Sequence, residues 1–457
     1  MIKGQVDFIT LGCSKNLVDA ERVMRQLEAA GWKCVHDPEE PKGEICVINT
    51  CGFIGDAKEE SINMILQMAE RKKQGKLRKL IVMGCLSERY RAELEEELPE
   101  VDELYGKFDF MGLVESLGKE AGYPAQLTKK QGGCTSYERH LTTPGHYAYV
   151  KISEGCNRMC SYCAIPLITG RHTSRPKEEI LAEVRWLVGQ GVKELNVIAQ
   201  DLSSYGMDLN KGQKSTERHL LPELIDEMAQ TEGVEWIRLH YAYPTDFPEG
   251  LLDVMAKHKN VCKYLDIALQ HCTDHMLGLM RRHITRAEQD ALIRKIREKV
   301  PGICIRTTLL VGHPGETEED FEELKEWVKE MRFERMGCFA YSDEEGTYAH
   351  RHYKDDVPQE VKEARAAELM AIQQEISGEL MQGFVGKTER VIIDREEGDY
   401  FIGRTQYDSP EVDCEILVER KKTASPNEES IKTGEFYDVR ITRAEEFDLY
   451  GEVKIEN

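Results

Sequence analysis
The chain has 457 residues, of which 40% are hydrophobic and 32% charged; this excludes a disordered polypeptide and gives room for two or three domains. No run of about 18 apolar residues occurs, which argues against a membrane span. A formal net charge of −22 argues against broad binding to a phosphate backbone; it suits solubility or a basic protein partner.

The opening stretch, MIKGQVDFITLGCSKN, lacks the longer apolar core and small-residue cleavage site of a secretory signal. The chain is therefore expected in the cytoplasm. There, fourteen cysteines suggest metal or catalytic work rather than a disulfide framework.

Residues 5–11, 44–50 and 78–84 read as three short apolar strands separated by helical patterns, LVDAERVMRQLEAAG and AKEESINMILQMAERKKQG. Strand–helix–strand alternation predicts a parallel sheet with helices on its faces. In such sheets ligands bind beyond the carboxyl ends of the strands. Cys13, Cys51 and Cys85 each stand there, after Gly12, Thr50 and Gly84. Three cysteines far apart in sequence are thus expected to converge at one sheet edge.

Residues 1–120 are assigned to this first domain and 121–142 to a linker poor in periodic pattern, where Cys134 is expected to be free. Residues 143–376 carry a second alternation. Its six strand candidates are YAYVKIS, ELNVIAQ, EWIRLHYAY, YLDIALQ, ICIRTTLLVG and ERMGCFAYS, with amphipathic stretches between them. Six such units predict a partial (β/α)6 barrel with its chemistry at the strand C-termini. From 377 to 457 short alternating runs predict a small antiparallel β-barrel. Between residues 380 and 457, 11 Lys and Arg stand against 19 Asp and Glu.

Cys156, Cys160 and Cys163 form a compact C-x3-C-x2-C triplet just after the first barrel strand. A structural zinc would want a second cysteine or histidine pair; only His172 is near, as an accidental fourth ligand. Iron–sulfur clusters normally take four thiolates. A three-cysteine cluster leaves one iron open, and an open iron can chelate the amino and carboxylate groups of S-adenosylmethionine. A redox sensor or binding module without catalysis is the alternative from another class.

The string SEGCNRMCSYCAIPLITGRHTSRP resembles the radical S-adenosylmethionine superfamily and, within it, the methylthiotransferases. GCSKNLVDAE, NTCGFI and GCL resemble that family's auxiliary-cluster domain, and the terminal barrel resembles its TRAM domain. The resemblance covers essentially the whole chain. GCSKN, AQDLSSYG, LQHCTDHMLGLMRR and YSDEEGTYAH are similar to the ribosomal-protein (RimO-type) branch rather than the branch that modifies a tRNA adenosine. LITG lacks the expected arginine before its glycine, and His313 in VGHPGE stands where phenylalanine is commoner.

The resemblance implies two 4Fe-4S clusters and S-adenosylmethionine as cofactors. Cys156, Cys160 and Cys163 would hold the radical-generating cluster; Cys13, Cys51 and Cys85 would hold an auxiliary cluster that presents sulfur. One S-adenosylmethionine would supply the methyl group and a second the radical. The product would be a methylthio group on the β-carbon of an aspartate of ribosomal protein uS12. It also implies an electron donor and a basic ribosomal protein partner, with tRNA disfavoured by the acidic terminal barrel.

Gln200, Gln270 and Arg306 are expected at or near barrel strand C-termini, where they could contact S-adenosylmethionine or serve structure. Gly312 and Gly315 could let backbone approach that cofactor, or simply form a turn before a helix capped by Thr317. His271 and His283 are expected to be structural. Cys46, Cys304 and Cys338 read as buried small hydrophobes.

Overall fold
The computed structural model describes residues 4–122, 135–210, 219–420 and 431–454; Cys134 lies outside them. The first unit runs β1 (Gln5–Thr10), α1 (Ser14–Ala29), β2 (Lys33–His36), β3 (Ile45–Thr50), α2 (Gly55–Lys73), β4 (Lys79–Gly84), α3 (Cys85–Arg89) and β5 (Glu103–Gly106). Its strands form one parallel sheet in the order β2-β1-β3-β4-β5. The three central strands are those expected from the apolar runs. β3 is buried at every position, as a central parallel strand covered on both faces should be. The edge strands β2 and β5 have only four residues each, KCVH and ELYG, too short and too mixed to stand out by alternation.

Helices cover both faces. Val23, Met24 and Leu27 of α1 pack on Val6, Phe8 and Val47, while Ile65 and Met68 of α2 pack on Ile48, Leu80 and Val82. At about 25 cal/mol per Å² of apolar surface removed from water, such packing is the dominant stabilising contribution.

The second unit opens with β6 (Tyr147–Lys151). A two-residue antiparallel ladder follows, β7 (Ser153–Glu154) with β8 (Thr173–Ser174), and frames the compact cysteine loop. Then come β9 (Glu194–Ile198), β10 (Trp236–Ala242), β11 (Val261–Ile267), β12 (Cys304–Val311) and β13 (Arg335–Ala340). With β6 they make a parallel sheet in simple sequential order, β6-β9-β10-β11-β12-β13. The two end strands do not pair, so this is the expected partial barrel. Alternate residues such as Leu195, Val197, Leu239, Leu265 and Ile305 face the outer helices, meeting Leu187, Leu224, Ile293 and Trp327.

The opposite, concave face mixes polar side chains such as Asn196, Arg238 and His240 with Trp236 and Tyr264, and the third unit closes part of it. That unit is a closed barrel of β14 (Thr388–Glu397), β15 (Tyr400–Arg404), β16 (Ile416–Glu419), β17 (Phe436–Ala444) and β18 (Leu449–Val453). Four of its five pairings are antiparallel, as expected; the fifth, β16 with β18, is parallel. Buried Glu194 accepts from Arg238 at 3.0 Å and from Arg404 at 2.8 Å, and Arg404 also donates to Asp394 at 2.6 Å. This ionic cluster joins the small barrel to the large one. The helix Gln359–Gln382 runs between them.

Candidate functional site
The dispersed triad is built at the ends of three neighbouring strands. Cys13 is the residue before α1, Cys51 follows β3, and Cys85 begins α3 directly after β4. Two glycines let the segments meet. A Cβ on Gly12, whose φ is +91°, would lie 2.8 Å from the Cys51 Cβ and 3.1 Å from its sulfur. A Cβ on Gly52 would lie 2.8 Å from the Leu86 Cα and 2.9 Å from the Cys85 carbonyl oxygen. The GC and CG pairs in the sequence are therefore steric requirements of the convergence.

Asn16 ties the three ends together, and sequence reasoning missed it. Its amide donates to the carbonyls of Leu11 at 3.2 Å and Thr50 at 3.1 Å, and its Oδ1 lies 3.4 Å from the Cys85 sulfur. The signal was its place in GCSKN, one turn past Cys13. Cys13 is exposed, whereas Cys51 and Cys85 are buried. Burial pushes the Cys51 thiol up, and the Cys85 thiol to about 12.

The compact triad lies on the loop between β7 and β8. Gly155, at φ +80°, starts it; a Cβ there would sit 2.3 Å from the Arg171 carbonyl oxygen. Cys156 N–H bonds Gly170 O at 3.2 Å, and Cys163 N–H bonds Cys160 O at 3.2 Å. Ser161 is held from three sides: its N–H by Met280 O at 3.0 Å, its carbonyl by Ala349 N–H at 2.7 Å, and its hydroxyl by His313 Nε2 at 2.9 Å. Burial pushes the Cys156 thiol up to about 12 and the Cys163 thiol higher still. His172 does not join the cysteines: its Nε2 meets the Ser174 hydroxyl at 3.1 Å.

A guanidinium and a phenol stand beside Cys160. Arg282 Nη1 donates to its sulfur at 3.3 Å, and the Tyr243 hydroxyl is 3.5 Å away. The Tyr243 ring lies between two guanidiniums, with Arg282 4.0 Å and Arg158 4.4 Å from its centroid. Arg158 in turn donates to Asp201 at 2.6 Å.

The two triads face each other across the seam between the first two units. Cys85 packs directly on Ala164 and Ile168, just past Cys163. Leu17 and Val18 of α1 lie against Tyr147, Tyr149 and Ile198 on the concave face. Among the described residues no three His, Cys, Asp or Glu side chains converge on one metal ion. A cluster spreads its ligands over separate irons, so thiols gathered around a space rather than a point fit it. Two gathered sets of three thiols, with N–H donors aimed at Cys156 and Cys160 sulfur, fit an iron–sulfur cluster each.

A cleft of about 760 Å³ runs along the seam. Phe53, Ile54 and Asp56 line one wall, and Tyr162, Gln270 and Thr308 the other. Gln270 lies beyond β11 at φ +74°, in a single bridge with Leu309. Gln200, just past β9, donates to Glu154, two residues before Cys156. Arg306 and Gly312 do not line this cleft. Arg306 is the third residue of β12 rather than near its end; Asp266 at 3.5 Å and Asp413 at 3.3 Å hold it beside a separate cavity that Cys13 also lines. Gly312, at φ +74°, is pressed against Lys362, where a Cβ would lie 2.2 Å from Cγ. Its segment is the turn before a helix, with Thr317 and Asp320 forming a capping box. His271 Nε2 lies 3.3 Å from Glu316.

Comparison with known proteins agrees with this architecture. The model of uncharacterized protein family UPF0004 matches residues 5–106, the radical SAM superfamily residues 150–328, and the TRAM domain residues 385–453. The solved structure of the radical S-adenosylmethionine methyltransferase TsrM from Kitasatospora setae is similar in fold, with a TM-score of 0.52 at 15% identity, covering 73% of this chain and 72% of that one. The cobalamin-dependent radical enzyme OxsB gives 0.52 at 12% identity, covering 79% and 56%. The fold is thus that of a radical S-adenosylmethionine protein.

Curated relatives named ribosomal protein uS12 methylthiotransferase RimO are far more similar. Identity is 61% with that of Phocaeicola vulgatus, over 99% of this chain and 100% of the relative. It is 60% with that of Bacteroides thetaiotaomicron, over 99% of both, and 54% with that of Porphyromonas gingivalis, over 99% and 100%. The chain belongs to the RimO family of methylthiotransferases.

Proposed function
We propose that this protein places a methylthio group on the β-carbon of an aspartate of ribosomal protein uS12. The observation that carries the reading is the pair of three-cysteine sites facing one seam, in a chain that matches the RimO relatives from end to end. Residues 1–120 would carry the auxiliary site, 143–376 the radical site and 377–457 the TRAM barrel.

When bound, two 4Fe-4S clusters and S-adenosylmethionine supply the sulfur and the one-electron chemistry that an unactivated C–H bond demands. Cys156, Cys160 and Cys163 hold one cluster; Cys13, Cys51 and Cys85 hold the other. Arg282 donates to the sulfur of Cys160, the Tyr243 hydroxyl lies beside that sulfur, and Ser161 fixes the loop. Gln200 and Gln270 are the side chains offered to S-adenosylmethionine. The cleft between Phe53 and Tyr162 admits the substrate segment and keeps it beside both sites. An external electron donor is required.

The acidity of the chain supports a basic protein substrate over a tRNA. Intact mass spectrometry of small-subunit ribosomal proteins, from cells with and without the gene, tests the reading. A mass gain of one methylthio substitution on uS12 is expected; an unmodified uS12 in both, or a methylthiolated tRNA that disappears with the gene, overturns it.

A further inference from the structure
Four charged side chains close a ring between the two cysteine sites. Asp19 lies six residues past Cys13 on α1, and Lys107 directly follows β5; both belong to the first unit. Lys151 ends β6, and Glu154 stands two residues before Cys156; both belong to the second. The Lys107 ammonium is 3.2 Å from Asp19 and 3.6 Å from Glu154. The Lys151 ammonium is 2.8 Å from Glu154 and also in contact with Asp19. Each cation therefore touches both carboxylates, and each carboxylate both cations. Asp19, Lys107 and Lys151 are more than nine-tenths buried. Gln200 donates to the same Glu154.

An ionic ring is an expensive way to close a seam, because desolvating four charges offsets most of their attraction. Leucines would stabilise the contact at least as well and would tolerate sliding. A ring of alternating charges does not. If either unit shifts by one contact, a like-charged pair forms or a buried charge loses its partner, and both are strongly disfavoured. The ring thus selects one position of the first unit on the second. Its corners are joined by short stretches of backbone to Cys13 and Cys156, one ligand in each triad.

We infer that Asp19, Lys107, Lys151 and Glu154 form a positioning clamp that sets the spacing between the two cluster sites. The clamp couples radical formation at one site to group transfer at the other. This deepens the proposed function and rests on it for the coupling, though not for the spacing.

The test compares the loaded full-length protein with Lys107→Met and Glu154→Gln, the latter nearly isosteric and kept as the variant least able to disturb folding. Iron content and reductive cleavage of S-adenosylmethionine without ribosomal substrate should stay within about twofold of the parent. Deoxyadenosine released per methylthiolated uS12 should rise by about tenfold or more, and the distance distribution between the reduced clusters, read by pulsed electron paramagnetic resonance, should broaden. Lys107→Arg should restore both. An unchanged product ratio with an unchanged distance distribution overturns the clamp. So does selective loss of iron from the Cys13, Cys51 and Cys85 site, which would make Lys107 a support for one cluster only. The distance is measured without uS12, so failure to modify uS12 sinks the proposed activity while the spacing still decides the clamp.

Discussion
The Arg282 guanidinium lies 3.3 Å from the sulfur of Cys160, and its other terminal nitrogen donates to the carbonyl of Ala268. A buried cation is thereby fixed against one thiol of the compact triad. Hydrogen bonds and positive charge at a ligating sulfur stabilise the reduced cluster and raise its potential.

Replacing Arg282 with Gln should therefore shift the midpoint potential of the cluster proposed at Cys156, Cys160 and Cys163 in the negative direction. Iron content should be retained. Spectroelectrochemistry reads the shift directly, and cleavage of S-adenosylmethionine with a weak reductant should fall by more than cleavage with a strong one. A potential unchanged from the parent would show that the contact does not tune the cluster.

Gly12→Ala addresses the dispersed triad alone. The added methyl would meet the Cys51 side chain at 2.8 Å in a left-handed backbone, a combination worth about 1–3 kcal/mol of strain. Iron after anaerobic reconstitution should drop from about eight to about four per chain, with cleavage of S-adenosylmethionine kept and methylthio transfer lost. An undiminished iron count would remove the steric argument for that glycine.

Asn16→Ala would leave the Leu11 and Thr50 carbonyls without their buried donor. The expected cost is about 1–3 kcal/mol, seen as a lower Tm of the cluster-free protein. Loading of the site at Cys13 should also slow, since Asn16 is what registers three strand ends. A variant with parental Tm and loading would contradict that role.

The His313 ring is wholly buried among Tyr162, Tyr341 and Tyr353, and burial lowers its pKa to about 4. In the unfolded chain a histidine titrates near 6.5. Between those values the unfolded state binds the extra proton, so stability is present above about pH 6.5 and lost as pH falls toward 4. The loss is on the order of 3 kcal/mol. Denaturant unfolding of the cluster-free protein between pH 7 and 4 should show it, and His313→Phe should flatten that part of the profile while freeing the Ser161 hydroxyl. A profile that His313→Phe leaves unchanged would assign the acid sensitivity elsewhere.

Most of the architecture is legible in the chain because parallel strands buried on both faces leave continuous apolar runs, as in EICVINT and KLIVMG. What escaped is what depends on contact across units. Nothing local distinguishes Lys107 from a surface lysine, or Arg282 from its neighbour Arg281; their roles arise only when other segments close around them. The place of Arg306 is illegible for the same reason. Its strand shows in the apolar run, but its height along that strand, and the Asp413 that holds it, come from register and from the third unit. The cysteines were legible because thiol chemistry restricts their use, whereas an asparagine such as Asn16 has many ordinary employments.

The central sheet ends in two strands, β6 and β13, that never meet. A closed barrel can be approached only down its axis, through an opening sized for a metabolite. An unclosed wall can be approached from the side. α1 lies against β6, the terminal barrel reaches both end strands through Glu411 at Tyr147 and Asp408 at Arg335, and a cleft bounded by Phe53 and Phe339 stays open. A loop that is still attached to a folded protein at both its ends can be laid into such a slot and withdrawn again without being threaded or unfolded.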